Sequence, residues 1–248
     1  MLVIIGAPSH GFQANHCRAM DEWGNKGVLG LTCGFRESTQ SWRERLLDLK
    51  RRGLEAAPKL AVGDGAMGFW AALHEVYGKT RVQRCWGHMA ANILNAMPKS
   101  VQPKAHLKDI CPLGQASMPF RVTDGGNQGG RQCCLRFLRR GLTRVKYDRA
   151  VTCLTKDRAD LLAFYDFPAE HWKHIRTSNP IESTFATVRH RTTKTKGCLS
   201  RQTALAMTHQ LMLSAKKKWR KLDGQNRLPE IIEGIEFRDG IKHEIKAA

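Results

Sequence analysis

The sequence predicts an α/β fold, on two observations. Short apolar strands alternate with amphipathic helices over roughly the first hundred residues, the pattern of helices packed on a sheet. Helical periodicity then resumes late in the chain, after a stretch with no period at all.

Taken in order, MLVIIGA (1–7) reads as a buried strand and VLGLTCGF (28–35) as a second. PSHGFQANHCRAMDEWGNKG between them is polar and aperiodic, and reads as a loop or a disrupted hairpin. A helix is expected over 39–52: Ser38 can cap it, Trp42, Leu46 and Leu49 share a face, and Gly53 suits the stop. KLAVGD (59–64) is a short buried strand that ends on an acid. Phe69, Trp70, Leu73, Val76 and Tyr77 then fall at helical spacing before Gly78. RVQRCW (81–86) makes a further strand, and Met89, Ile93, Leu94 and Met97 mark a helix ended by Pro98.

Residues 111–130 carry two Pro and five Gly and show neither period. Helices are expected around 146–165, over 180–193 and over about 202–222. The last sets Leu205, Met212, Ala215, Trp219 and Leu222 on one stripe, with KKKWRK on its wet side. No internal repeat is present.

Composition narrows the partner class. The 248 residues carry 41 Lys+Arg against 22 Asp+Glu, a formal charge of +19, which favours a polyanion through counterion release. Nucleic acid leads that class. No run of about eighteen apolar residues marks a membrane span, and MLVIIGA lacks the basic flank and cleavage site of a signal peptide. Eight irregularly spaced Cys without an export signal point to reduced thiols in the cytoplasm.

Four places could carry chemistry or binding. Asp64 stands where a strand gives way to a helix, where open α/β sheets place ligands. Asp before Gly is equally a common turn or cap. Glu182 has two accounts as well. With Asn179 as N-cap and Pro180 first in the helix, it falls at the capping-box position, which also serves a metal ligand. Cys85 and His88 form a Cys-x-x-His pair at a strand-to-helix junction. A structural zinc needs a second such pair, which adjacent Cys133 and Cys134 and the isolated Cys111, Cys153 and Cys198 do not make. Arg176, Arg189, Arg191, Lys194 and Lys196 could contact a DNA backbone, or form an ordinary solvated helix face.

The order of these pieces resembles the Mutator-like transposases of bacterial insertion sequences. RESTQSWRERLLDLKRRGL, LAVGDGAMGFWAALHEV, TRVQRCWGHMAANILNAMPKS, LLAFYDFPAEHWKHIRTSNPIESTFATVRHRTTKTKGCLS and TALAM are all similar to that family and stand in its order. The resemblance implies a ribonuclease-H-like core with an α-helical insertion and an Asp-Asp-Glu site. Asp64 matches the second Asp and Glu182 the Glu, while Cys85 and His88 match a family motif near the site. It further implies Mg²⁺ or Mn²⁺ as cofactor, two ions about 3.5–4 Å apart flanking in-line displacements at phosphodiesters. Insertion-sequence ends and target DNA would be the partners, with a homo-oligomer at work near the bacterial nucleoid.

On this reading the chain is an N-terminally truncated, partly degenerate copy. The family's first Asp lies on the strand before MLVIIGA, so the first core strand, the middle one of the sheet, is expected to be missing. A DNA-binding region ahead of the core is missing with it, and Asp21, in the aperiodic loop, is a poor substitute for the first acid. Likeness fails over 8–27 and 111–145, as a shifted reading frame would produce. The expected division is a core remnant over 1–103 and 171–222, a helical insertion over 104–170 (irregular over 111–145) and a C-terminal tail over 223–248. The expected function is transposition chemistry, with this chain inactive by itself. The alternative is a non-catalytic DNA-binding remnant in hetero-oligomers with intact transposase.

Overall fold

The computed structural model describes residues 3–9, 14–33, 38–65, 67–100, 102, 147–194 and 200–243. The irregular stretch 111–145 and most of the expected insertion lie outside the described residues, as does Lys196.

Five strands form one sheet: β1 (Val3–Ser9), β2 (Ala14–Met20), β3 (Lys26–Cys33), β4 (Leu60–Gly63) and β5 (Arg81–Arg84), in the order β3-β2-β1-β4-β5. β1 runs antiparallel to β2 and β2 antiparallel to β3, while β4 is parallel to both β1 and β5. One expectation is corrected here and one open alternative is decided. The middle position of the sheet is filled: β1 lies between β2 and β4, pairing Val3 with Leu60 through Gly6 with Gly63. Of the two readings of the stretch after MLVIIGA, loop or disrupted hairpin, the hairpin holds: Ala14–Met20 forms β2 and pairs along its whole length with β1. Backbone pairing needs no side-chain period, so strand ANHCRAM left no signal. A bulge at Cys17/Arg18 marks its irregular register with β3.

The sheet is covered on both faces, as β4 makes plain. Its Leu60 and Val62 enter one apolar cluster and Ala61 the other, the alternation a strand imposes. On the Ala61 face lie α1 (Thr39–Arg51) and α2 (Met67–Val76), which bury Trp42, Leu46, Leu49, Phe69, Ala72 and Leu73. Helix α1 starts and stops as the sequence predicts. Ser38 Oγ accepts the Ser41 N–H at 3.1 Å, Ser41 Oγ accepts the Ser38 N–H at 3.2 Å, and Gly53 takes φ 104° just past the end.

The opposite face receives α3 (Trp86–Asn95), α4 (Asp148–Lys156), the short α5 (Arg158–Leu161), 3₁₀ turns at Ala163–Asp166 and Ala169–His171, and α6 (Trp172–Ile175). The single helix expected over 146–165 is thus broken near Asp157 and Leu162. Gln83, fully buried on β5, supports that break. Its Nε2 donates to the carbonyls of Arg84 (2.7 Å) and Leu161 (3.1 Å), and its Oε1 accepts the Phe164 N–H at 2.7 Å. Freed helix-end groups need such partners when buried.

Two long helices follow, α7 (Asn179–Lys194) and α8 (Arg201–Lys216). Helix α8 stops before the KKKWRK run is complete, so Trp219 and Leu222 lie beyond it rather than on its stripe. Leaving the helix lets Leu222 enter the core, with its N–H on the Gly24 carbonyl at 2.9 Å. The segment expected as a tail is built in as well. Helix α9 (Leu228–Glu233) buries Leu228 and Ile231, and the β6 (Phe237–Arg238)/β7 (Ile241–Lys242) hairpin buries Phe237 in the same cluster. Among the described residues no helix is long and apolar enough to cross a membrane.

Candidate nucleic-acid and catalytic site

Asp64 follows directly on Gly63, the last residue of β4, and is half-buried. The backbone turns there through Gly65 at φ 103°, a conformation that disfavours side chains. A Cβ at Gly65 would also fall inside the Arg84 guanidinium, which packs over this turn. Arg84 Nη1 donates to the Asp64 carbonyl, while its Nε pairs with Asp157 Oδ2 at 3.0 Å. The end of β4 is thereby tied to the last residue of β5 and to the turn after α4.

Cys85 continues that connection. Its N–H donates to the Gly63 carbonyl at 2.7 Å, and it leads into α3 as the residue before the helix. The residue is 1% exposed. Its sulfur accepts the Ser178 N–H and the Ser178 hydroxyl, both at 3.2 Å, and meets Thr177 Oγ1 at 3.5 Å. Ser178, fully buried, also lies 3.4 Å from His88 Nδ1, and the Trp86 N–H donates to the Arg176 carbonyl at 3.0 Å. Residues 176–178 are therefore held against 85–88 immediately before α7 begins. That brings the helix bearing Glu182 in its first turn to the end of the sheet that bears Asp64. The helix starts at Asn179, one residue earlier than a cap at Asn179 would give, within the usual spread of helix ends. The side chains of Glu182 and Lys194 lie outside the described residues.

Burial is the largest influence on the Cys85 thiol and raises its pKa. Hydrogen bonds from His88, Ser178 and Thr177 together outweigh it and bring the value from 9.0 down to about 7. A thiol whose folded pKa lies below its unfolded one stabilises the fold as thiolate. The gain is complete above the unfolded value and is lost as pH falls through the folded one. Two pK units correspond to about 3 kcal/mol. Denaturant unfolding at pH 6 and at pH 9 should show wild type gaining stability over Cys85→Ala by an amount of that order; a pH-independent difference would contradict it.

The remaining expected residues divide by exposure. Arg189 and Arg191 are exposed on α7, beside exposed His190, whereas Arg176 is half-buried and contributes its carbonyl to the junction with α3. Lys216, Lys217, Lys218, Arg220 and Lys221 add a second exposed basic run at the end of α8. Asp21 is committed elsewhere. Its Oδ1 accepts the N–H groups of Trp23 (2.9 Å) and Asn25 (2.8 Å), and its Oδ2 the Asn25 side-chain amide at 3.1 Å, closing the β2–β3 turn. Arg84, Gly65, Thr177 and Ser178 are not singled out by any motif in the sequence. Only the Asp-Gly pair hints at the turn, and bonds across ninety-odd residues leave no local signal.

A family model, "Transposase, Mutator family", matches residues 16–221, spanning all of 111–145 and residues 16–27 of the first stretch where likeness was expected to fail. The chain belongs to the Mutator family of transposases. This Mutator-family chain is 46% identical to the transposase of insertion sequence element IST2 from Acidithiobacillus ferrooxidans, over 97% of its own length and 73% of that protein's. It is 42% identical to the transposase of IS6120 from Mycolicibacterium smegmatis, over 88% of its length and 64% of that protein's. With the ISRM5 transposase of Rhizobium meliloti (strain 1021) it shares 28% identity, over 79% of its length and 48% of the relative's. It thus spans between about half and three-quarters of the length of these relatives.

Proposed function

We propose that this Mutator-family chain is a DNA-binding transposase core of ribonuclease-H-like type whose strand-cutting centre is incomplete. The observation that carries the reading is the meeting of two elements at one end of the sheet: β4, ending at Asp64, and α7, with Glu182 in its first turn. The strand order β3-β2-β1-β4-β5, antiparallel and then parallel, supports a ribonuclease-H-like sheet. Asp64 and Glu182 are the acids that would hold Mg²⁺ or Mn²⁺.

These residues do not amount to a two-ion site. The central strand β1, VIIGAPS, carries no acid, and β2 and β3 carry none either. Asp21 is occupied in its turn. What remains is a basic surface on α7 and α8 suited to phosphate backbone, and DNA of the insertion-sequence ends is its proposed partner.

Retardation of a labelled insertion-sequence-end duplex by the purified chain tests the reading. Binding should weaken steeply with salt, and Arg189→Ala with Arg191→Ala should lower the log–log salt slope by about 0.9 for each phosphate that the two side chains neutralise. An unchanged slope in the double variant would remove α7 from the interface. No binding at low salt would sink the proposal.

A further inference from the structure

The Cys-x-x-His pair has no place in the chemistry proposed above, and the burial of Cys85 rules out a role for its sulfur at the surface. We propose that Cys85 is a positioning residue: its sulfur seats the start of α7 on the end of the sheet, and so sets where Glu182 stands relative to Asp64. The inference rests on the proposed roles of those two acids, but its own observations are independent of them.

The path is short and made of named bonds. Asp64 follows Gly63, whose carbonyl accepts the Cys85 N–H at 2.7 Å. The Cys85 sulfur accepts both the N–H and the hydroxyl of Ser178 at 3.2 Å, and Ser178 immediately precedes α7. Glu182 lies four residues further, on the first turn. Two bonded residues thus separate the acid-bearing strand end from the acid-bearing helix.

Sulfur suits the position. An N–H at the start of a helix has no partner within the helix and, when buried, needs one from outside. Ser178 is fully buried, so water cannot serve it. A large, polarisable acceptor can take several donors at once at 3.2–3.5 Å, and here Ser178 N–H, Ser178 Oγ and Thr177 Oγ1 converge on it. His88, one helical turn on, stands 3.4 Å from Ser178 Oγ and holds that hydroxyl from the other side. A zinc ligand role finds no support, since no group of three ligand residues forms among those described. A nucleophile's role would need access that a 1%-exposed residue lacks.

Amide hydrogen exchange on the full chain without DNA tests this. Cys85→Ala should accelerate exchange at Ser178, Asn179, Ile181 and Glu182 at least tenfold, while Ala61–Gly63 of β4 keep their protection. Cys85→Ser, which restores an acceptor of smaller size, should recover most of the protection at Ser178. Equal acceleration in the Ala and Ser variants would mean that the sulfur only fills space, and would overturn the proposal. So would unchanged exchange in Cys85→Ala. Where Cys85→Ala does not fold, Cys85→Ser decides alone: a protected Ser178 amide supports the positioning role and an exposed one overturns it. Failure of DNA binding would leave these readouts untouched, so the two proposals can fail separately.

Discussion

Replacing Trp42 by Ala should lower the unfolding free energy by about 3–5 kcal/mol, the range for a large aromatic removed from a closed core. Trp42 is fully buried in α1 and meets Phe69 of α2 edge-on, with centroids 4.8 Å apart. Leu46, Leu49 and Leu73 complete the cluster over the Ala61 face of the sheet. Relaxation into the space is restricted, because α1 and α2 already touch through backbone. A Cβ on Gly68 would come within 3.0 Å of the Ser38 carbonyl carbon. With no way to close the gap, the cavity term adds to the lost transfer energy. Urea unfolding measures the change, and a drop below about 1 kcal/mol would mean that the two helices do not pack as described.

The second large effect is expected at Gly65. An alanine there must adopt φ near 103°, at a cost of about 1–3 kcal/mol. Its Cβ must also expel the Arg84 guanidinium from the Asp64 carbonyl. Arg84 is only 12% exposed and pairs with Asp157, so its displacement leaves buried polar groups short of partners, for about another 1–3 kcal/mol. Together Gly65→Ala should cost about 2–6 kcal/mol. Arg84→Ala removes the same interaction, so the double variant should be destabilised clearly less than the sum of the singles. Strict additivity, measured by the same unfolding experiment, would show that Arg84 does not hold the turn.

How much of this was legible in the sequence follows from what kind of force fixes each element. Helix α1 was fully legible: Ser38, the Trp42–Leu46–Leu49 face and Gly53 are local signals, and each acts as read. Strand β4 and the placing of Asp64 at its end were legible for the same reason. β2 was not, because ANHCRAM has no alternation and is held by its pairing with β1 and β3. The end of α8 was misplaced because Lys217–Lys221 continue a helical composition, whereas Leu222 is drawn out of the helix by the core. The C-terminal segment looked like a tail because its helix and hairpin are short. Their burial depends on residues far back in the chain, such as the Tyr165 carbonyl that accepts the Gly240 N–H.

The site divides in the same way. Asp64, Glu182, Cys85 and His88 were singled out by motif as candidates, and their elements meet at one end of the sheet. The agents of that meeting, Arg84 and Ser178, were invisible because they act across the fold. The middle of the sheet shows the limit of motif reading most clearly. Matching MLVIIGA to the second strand of the family led to the expectation of a missing middle strand, yet Val3–Ser9 itself fills the middle of the sheet.

The most direct test of an incomplete centre is a nicking assay on a labelled insertion-sequence-end duplex, with the purified chain in Mg²⁺ and separately in Mn²⁺. The expected result is a retarded duplex that stays uncut in either metal, with no difference between wild type and Asp64→Ala in the yield of cut strand. Metal-dependent nicking by wild type that Asp64→Ala abolishes would contradict it, because it would mean that the chain assembles a working centre without an acid on β1.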